Sequence, residues 1–372
     1  MPFTDAERLN AIQSCRYCPM CHHADLSVTL TRRETYSARG RGLLLWSIEK
    51  GKIGWDSQVA DVMYKFPADG LSKRVCAGHI PHDDLILDAR ARLVRAGAAP
   101  VSVARTKKNL KEHGNPWGTA ESDLGARVGL KGRPAGTPQV LLYFGATARV
   151  HRPGAIDALL RLVRKAGVAF TYLPEEGDPG LLLHQLGEVE AAGEAASALG
   201  RKIEESHAAR VVTADADAYR ALKAGFGNVP PLAGAAVQHA SEFLEELAKG
   251  GKLTFRPPAK RVAYHDPCAL ARFTPCLEAP RALLKRILGG APAELPGNRE
   301  LAECSGECGG LPFTNADLAS AAAARRLEQA AGAGAGILAA GGTAAAAALA
   351  QANASALEIK DLVELAADCL AD

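Results

Sequence analysis

Two stretches of the chain repeat one pattern of apolar and polar positions. Val140-Leu141-Leu142-Tyr143-Phe144-Gly145 is a continuous apolar run ending in a turn, and Arg261-Val262-Ala263-Tyr264-His265-Asp266-Pro267 ends the same way. Each is followed by apolar residues at helical spacing, at 153–166 and at 279–288. A further short apolar run comes late in each stretch, Arg210-Val211-Val212-Thr213 and Gly336-Ile337-Leu338-Ala339. Strands alternating with helices predict an α/β fold with parallel layers. The Ala-rich tract 319–350 has the apolar spacing of ordinary packed helices. The first 120 residues lack the strand pattern; they read as several helices closed by Gly114-Asn115-Pro116-Trp117-Gly118. Residues 119–137, rich in Gly, Arg and Pro, predict a linker. The expected organisation is a helical domain over 1–120 and two α/β modules over 138–250 and 258–372.

Composition narrows the function more than the fold. A chain of 372 residues has room for two or three domains. The net charge of +3 is too small to predict binding to nucleic acid or an anionic membrane, and 5% aromatic residues offer little base stacking. No 18-residue apolar run is present to span a bilayer, and Met1-Pro2-Phe3-Thr4-Asp5 does not open a secretory signal. The nine cysteines include a C-x2-C-x2-C run. In a chain without an export signal, this predicts reduced thiols holding metal, in a cytoplasmic protein.

That run, Cys15-Arg16-Tyr17-Cys18-Pro19-Met20-Cys21, has the spacing of three ligands around one corner of a [4Fe–4S] cube. In the bacterial pattern C-x2-C-x2-C-x3-C-P the fourth cysteine serves a second cluster. Here the fourth position is Asp25, followed by Leu26. Counting back from Cys76 by the same spacing gives Phe66, Asp69 and Ser72. By the crossover rule, one cluster would use Cys15, Cys18, Cys21 and Cys76, a complete set. The other would use Phe66, Asp69, Ser72 and Asp25, a set that has lost every ligand. One cluster kept and one discarded is the simplest reading. Zinc on four thiolates, His22 or His23 as a replacement ligand, and Asp25 as a ligand remain open alternatives. His79 and His82 read as solvated loop residues.

With these residues in view, the chain resembles the iron–sulfur subunits related to heterodisulfide reductase and to the glycolate oxidase iron–sulfur subunit. That family joins a helical ferredoxin-like domain to two Rossmann-like, cysteine-rich CCG modules. The second module is visible in His265-Asp266-Pro267-Cys268, in Ala279-Pro280-Arg281 and in Cys304-Ser305-Gly306-Glu307-Cys308-Gly309-Gly310. The family's ligand pattern is C-x(31–39)-CC-x(35–36)-C-x2-C. Its spacing falls on Ala146, Asp178-Pro179, Asp215 and Ala218 in the first module, and on Cys268, Cys304-Ser305, Gly341 and Ala344 in the second. Eight of these ten positions are not cysteine. The resemblance therefore implies the fold and argues against the family's disulfide or quinone chemistry in these modules. Cys268, Cys276, Cys304 and Cys308, with His265 nearby, are either a rebuilt second metal site or small buried hydrophobes. Cys369 has no partner in sequence and reads as inert.

No G-x-G-x-x-G after a strand and no P-loop is present; Gly332-Ala333-Gly334-Ala335-Gly336 follows a helical tract. One cluster without a nucleotide site predicts a non-catalytic electron-transfer subunit. The resemblance implies a partner flavoprotein dehydrogenase or demethylase, with electron-transferring flavoprotein or quinone as acceptor. The alternative is a scaffold subunit of a redox complex with a structural cluster or zinc. The emptied modules, and the surface around 66–76, are expected to dock partners.

Overall fold

A computed structural model describes residues 4–129 and 139–371. Of the expected linker 119–137, residues 130–137 lie outside the described chain. Its first part is not a plain linker, because Leu124–Val128 forms a short helix capped by Asp123, with Leu124 and Val128 buried.

Four strands, β1 (Val140–Tyr143), β2 (Phe170–Tyr172), β3 (Arg210–Thr213) and β4 (Ala236–His239), form a parallel sheet in the order β2-β1-β3-β4. A second set, β5 (Val262–His265), β6 (Ala293–Glu294), β7 (Ile337–Ala340) and β8 (Glu358–Asp361), repeats that order as β6-β5-β7-β8, again all parallel. The central strands β1, β5 and β7 are buried at every residue, as parallel strands covered on both faces must be. The Ala-rich tract forms helices Ala316–Gly332 and Thr343–Ala352 on either side of β7.

The two halves share one core rather than standing apart. Helix Pro153–Lys165, which follows β1, packs on helix Leu362–Asp368, which follows β8. Helix Ala240–Lys249, after β4, packs on helix Glu278–Leu288, after β5. Ile156, Leu159 and Val163 thereby meet Leu362, Val363 and Leu365 in a common apolar cluster with Phe243, Leu244, Leu283 and Ile287.

Residues 5–113 are helical. Seven α-helices run from Asp5–Cys15 to Val101–His113 around a core that includes Ile12, Leu45, Met63, Leu85, Ile86 and Leu93. Local signals set several starts: Thr4 and Glu7 form a capping box, and Asp25 and Asp56 each accept backbone N–H bonds at their helix N-termini. Arg90, fully buried, fastens this region to both sheets. It donates to the carbonyls of Met63 and Phe66 in its own region, Gln185 in the first half at 2.8 Å and Gly309 in the second at 2.8 Å. Gly309 has φ +63°, and a Cβ there would collide with the Pro67 carbonyl, so the Cys308-Gly309-Gly310 turn needs glycine to reach the helical region. No helix among the described residues is long and apolar enough to cross a membrane.

Candidate functional site

Cys15 ends helix Asp5–Cys15, and the chain then turns, with Cys18 N–H donating to the Cys15 carbonyl at 3.2 Å. The Cys21 carbonyl accepts from Asp25 N–H at 3.0 Å, which holds the loop before the next helix begins. Cys76 follows helix Leu71–Val75 directly. The two segments meet. Burial, and then the thiols of Cys21, Cys76 and Cys18, push the Cys15 thiol up to about 12. Cys21 is likewise pushed to about 12 by burial, then by Asp25, Cys76 and Cys18. A cation bound among the four sulfurs would relieve the cost of ionising Cys15 and Cys21. No three of these sulfurs lie within 4.8 Å of one another, a distance that ligands of a single ion share. Helix Ala38–Glu49 backs the site at Gly42, where a Cβ would come within 3.1 Å of the Cys15 Cβ. Cys15 and Cys21 are buried, Cys76 is half-buried and Cys18 is exposed.

The residues weighed as substitute ligands are otherwise engaged. Asp25 accepts from Ser27 N–H at 3.0 Å and pairs with Arg41 at 2.7 Å, and both side chains are fully buried. His22 faces Glu34 at 3.4 Å. His79 is exposed as expected, but His82 is not a solvated loop residue. It opens helix His82–Arg95, is buried edge-on against the Phe66 ring at 5.0 Å, and is held neutral by burial, its pKa lowered to about 3.

Phe66, Asp69 and Ser72 are buried, as is Asp25, and two arginines take up space beside the carboxylates. The Arg41 guanidinium lies 4.7 Å from the Phe66 ring centroid and donates to Ser27 Oγ at 2.9 Å as well as to Asp25. Arg272, from the second half, donates to the Asp69 carbonyl at 2.5 Å and faces its carboxylate at 3.4 Å. Phe66, Asp69 and Ser72 are therefore packed inside the chain, while Lys73 and Arg74 of the same segment are exposed; buried charges need partners at hand, and here both come from the chain itself.

The other vacated set has the opposite surroundings. Ala146, Asp178, Pro179, Asp215 and Ala218 all line one cavity of about 560 Å³, which Ala344 of the second half also borders. In the second half, Cys268, Cys304 and Cys308 share an apolar cluster, whereas Cys276 sits in another beside Ser241. Cys268 and Cys308 are paired as a disulfide, with the Glu307 carboxylate beside them. His265 bonds Ser305 Oγ at 2.9 Å. Cys304 also borders a cavity of about 180 Å³ reaching His23, Ala24 and Val75, next to the thiol loops. Cys369 is buried in the shared core.

Arg41, Arg90, Arg272 and the cavity itself carry no sequence signal. Their partners lie up to 219 residues away, and no spacing rule connects them.

Residues 262–343 match the cysteine-rich domain family designated CCG. The chain is 33% identical over 259 residues to a probable membrane-anchored ferredoxin of Chromohalobacter salexigens, covering 64% of this chain and 37% of that protein. It is 31% identical over 271 residues to a subunit of the dihydromethanophenazine:CoB–CoM heterodisulfide reductase of Methanosarcina acetivorans, covering 70% and 66%. It is 30% identical over 258 residues to an EtfAB:quinone oxidoreductase of Syntrophomonas wolfei, covering 64% and 35%. The chain thus spans less than two thirds of the length of each of these relatives.

Proposed function

Because the chain belongs to the heterodisulfide reductase-related family of iron–sulfur proteins with cysteine-rich CCG domains, we propose that it is the electron-transfer subunit of an oxidoreductase complex. In this reading Cys15, Cys18, Cys21 and Cys76 hold one [4Fe–4S] cluster within a ferredoxin-like helical domain. The observation that carries it is the convergence of four thiols from two segments. The arginine pairing of Asp25 and Asp69 supports a count of one, since both carboxylates are engaged within the chain. A bound cluster of this kind supplies a one-electron couple.

The chain's own residues set the terms of that transfer. Buried Cys15 and Cys21 shield one side of the site, and exposed Cys18 opens the other. Tyr17 and Met20 beside it are 70% and 55% exposed, so an apolar edge is available to a partner at the shortest distance from the thiols. The partner we favour is a flavoprotein dehydrogenase or demethylase. Electron-transferring flavoprotein or quinone is the acceptor, in keeping with the name of the Syntrophomonas relative.

Anaerobic purification followed by iron and sulfide analysis tests the site. About four iron per chain are expected, falling below about one in Cys76→Ser; a variant that keeps its iron overturns the ligand set. Paramagnetic resonance of the complex tests the relay, because a cluster signal that ignores added substrate would make the chain a scaffold.

A further inference from the structure

The cavity of about 560 Å³ between the two halves plays no part in the electron-transfer reading, and none of the four thiols proposed to hold the cluster lines it. It lies where a parallel sheet of this order binds ligands. In β2-β1-β3-β4 the connections leave β1 and β3 toward opposite edges, so the crevice beyond the carboxyl ends of these two strands is the topological switch point. Ala146 follows β1 and Asp215 follows β3, and both line the cavity.

Its lining combines two chemistries. Asp178, Asp215 and Asp217 contribute carboxylates; Trp117, Tyr143 and Phe313 contribute rings, those of Trp117 and Phe313 being 5.8 Å apart. Asp215 is only 9% exposed. Its Oδ1 accepts from the N–H groups of Asp217 and Ala218 at 3.0 and 2.9 Å. Its Oδ2 has no hydrogen-bond donor among the described residues and lies over Gly145, where any Cβ would strike it. Asp178 uses one oxygen on Gly180 N–H at 2.7 Å. The lining's own cation, Arg152, is occupied by Glu364 and the Ile359 carbonyl. Arg220 offsets Asp217 and also faces Asp83 and Asp84, Arg149 faces Asp178, and neither arginine acts on Asp215. His151 is held toward the neutral form by burial.

A carboxylate oxygen that opens on a cavity, with no donor among the described residues, is a place for a cation. The aspartates fit a bare metal ion poorly: Glu307 also lines the cavity, but among the described residues the set that could hold an ion joins it to Cys268 and Cys308 and includes no aspartate of this lining. A cation with an apolar body suits both the spread acids and the rings. We propose that this cavity binds a small organic ammonium ion, its nitrogen at Asp215 and its body against Trp117 and Phe313. Burial, joined by repulsion from Asp217 and Asp178, pushes Asp215 up to about 7, the response of an acid whose counter-ion the chain does not supply.

Calorimetric titration of the full, cluster-loaded chain tests this with benzylammonium chloride against benzyl alcohol, its uncharged counterpart, at pH 8 and matched ionic strength. The ammonium should bind once per chain, and the alcohol at least roughly tenfold more weakly. Asp215→Asn keeps the helix cap and should weaken the ammonium roughly tenfold. Phe313→Ala should weaken both probes and serves as the second variant. Equal binding of alcohol and ammonium, unchanged affinity in both variants, or no binding in the millimolar range would each overturn the proposal. None of these results bears on the iron count, so the two readings fail separately.

Discussion

The chain contains two places where the family spacing puts metal ligands and the sequence has none, and they have opposite fates. Around Asp25, Phe66, Asp69 and Ser72, Arg41 and Arg272 take up space beside the carboxylates, and Asp69 borders only the smaller cavity of about 180 Å³. Around Ala146, Asp178, Pro179, Asp215 and Ala218 the space stays open. The first lies inside a bundle of short helices, where long side chains from a neighbouring helix and from the second half can reach in. The second lies at the carboxyl ends of β1 and β3, on a frame whose spacing is fixed by backbone ladders and by a core common to both halves. A sheet cannot close on a void as side chains can. Side chains therefore build an ionic core in one place, and the sheet frame keeps a cavity in the other.

The sharpest way to break this contrast is at Arg41. With Asp25 fully buried beside it, Arg41→Met leaves an unpaired carboxylate and should lower stability by about 3–5 kcal/mol. The urea midpoint of the loaded chain, measured anaerobically, reports it. Adding Asp25→Leu should recover most of the loss, since replacing both partners removes the unpaired charge. A loss under about 1 kcal/mol in the single variant would mean that water reaches Asp25, and that the site is not an ionic core in the sense argued above.

The contrast was half visible in the sequence. Spacing marked nine positions in these two sets, of which four are buried in the helical region and five line one cavity. The apolar runs located β1, β3, β5 and β7 to within two residues. What filled or failed to fill those positions was not legible. Arg41 sits in an ordinary helical stretch and Arg272 is 203 residues from Asp69; a buried charge takes its partner from wherever the fold supplies one. His82 was misread for the same reason, because its burial comes from Phe66 across the bundle and not from its own neighbours in the chain.

Proton binding should separate the two places next. Burial and nearby acids raise Asp215 to about 7. A carboxyl raised in this way binds its proton more tightly folded than unfolded. Its stabilising share is whole below the unfolded value near about 4 and is lost as pH rises toward about 7. Asp215→Asn cannot lose a proton, so its stability relative to the parent chain should climb between those limits and stay level above them. The climb is on the order of a few kcal/mol at most, read from urea midpoints across a pH series. A flat difference would mean that Asp215 has a counter-charge after all, and the open site would then resemble the filled one.

The smallest effect is also the most direct comparison of space. Ser72 and Ala146 are both positions where spacing expects a ligand, yet Ser72 is buried in the helical region while Ala146 borders the cavity. Enlarging each to leucine asks whether there is room. Ser72→Leu must displace packed side chains and should cost about 1–3 kcal/mol. Ala146→Leu adds apolar surface to an existing void and should stay within about 1 kcal/mol of the parent, while reducing benzylammonium binding. If both variants lose stability alike, the cavity closes in solution and the difference between the two vacated sites disappears; if only Ser72→Leu does, the frame of the sheets holds the second site open.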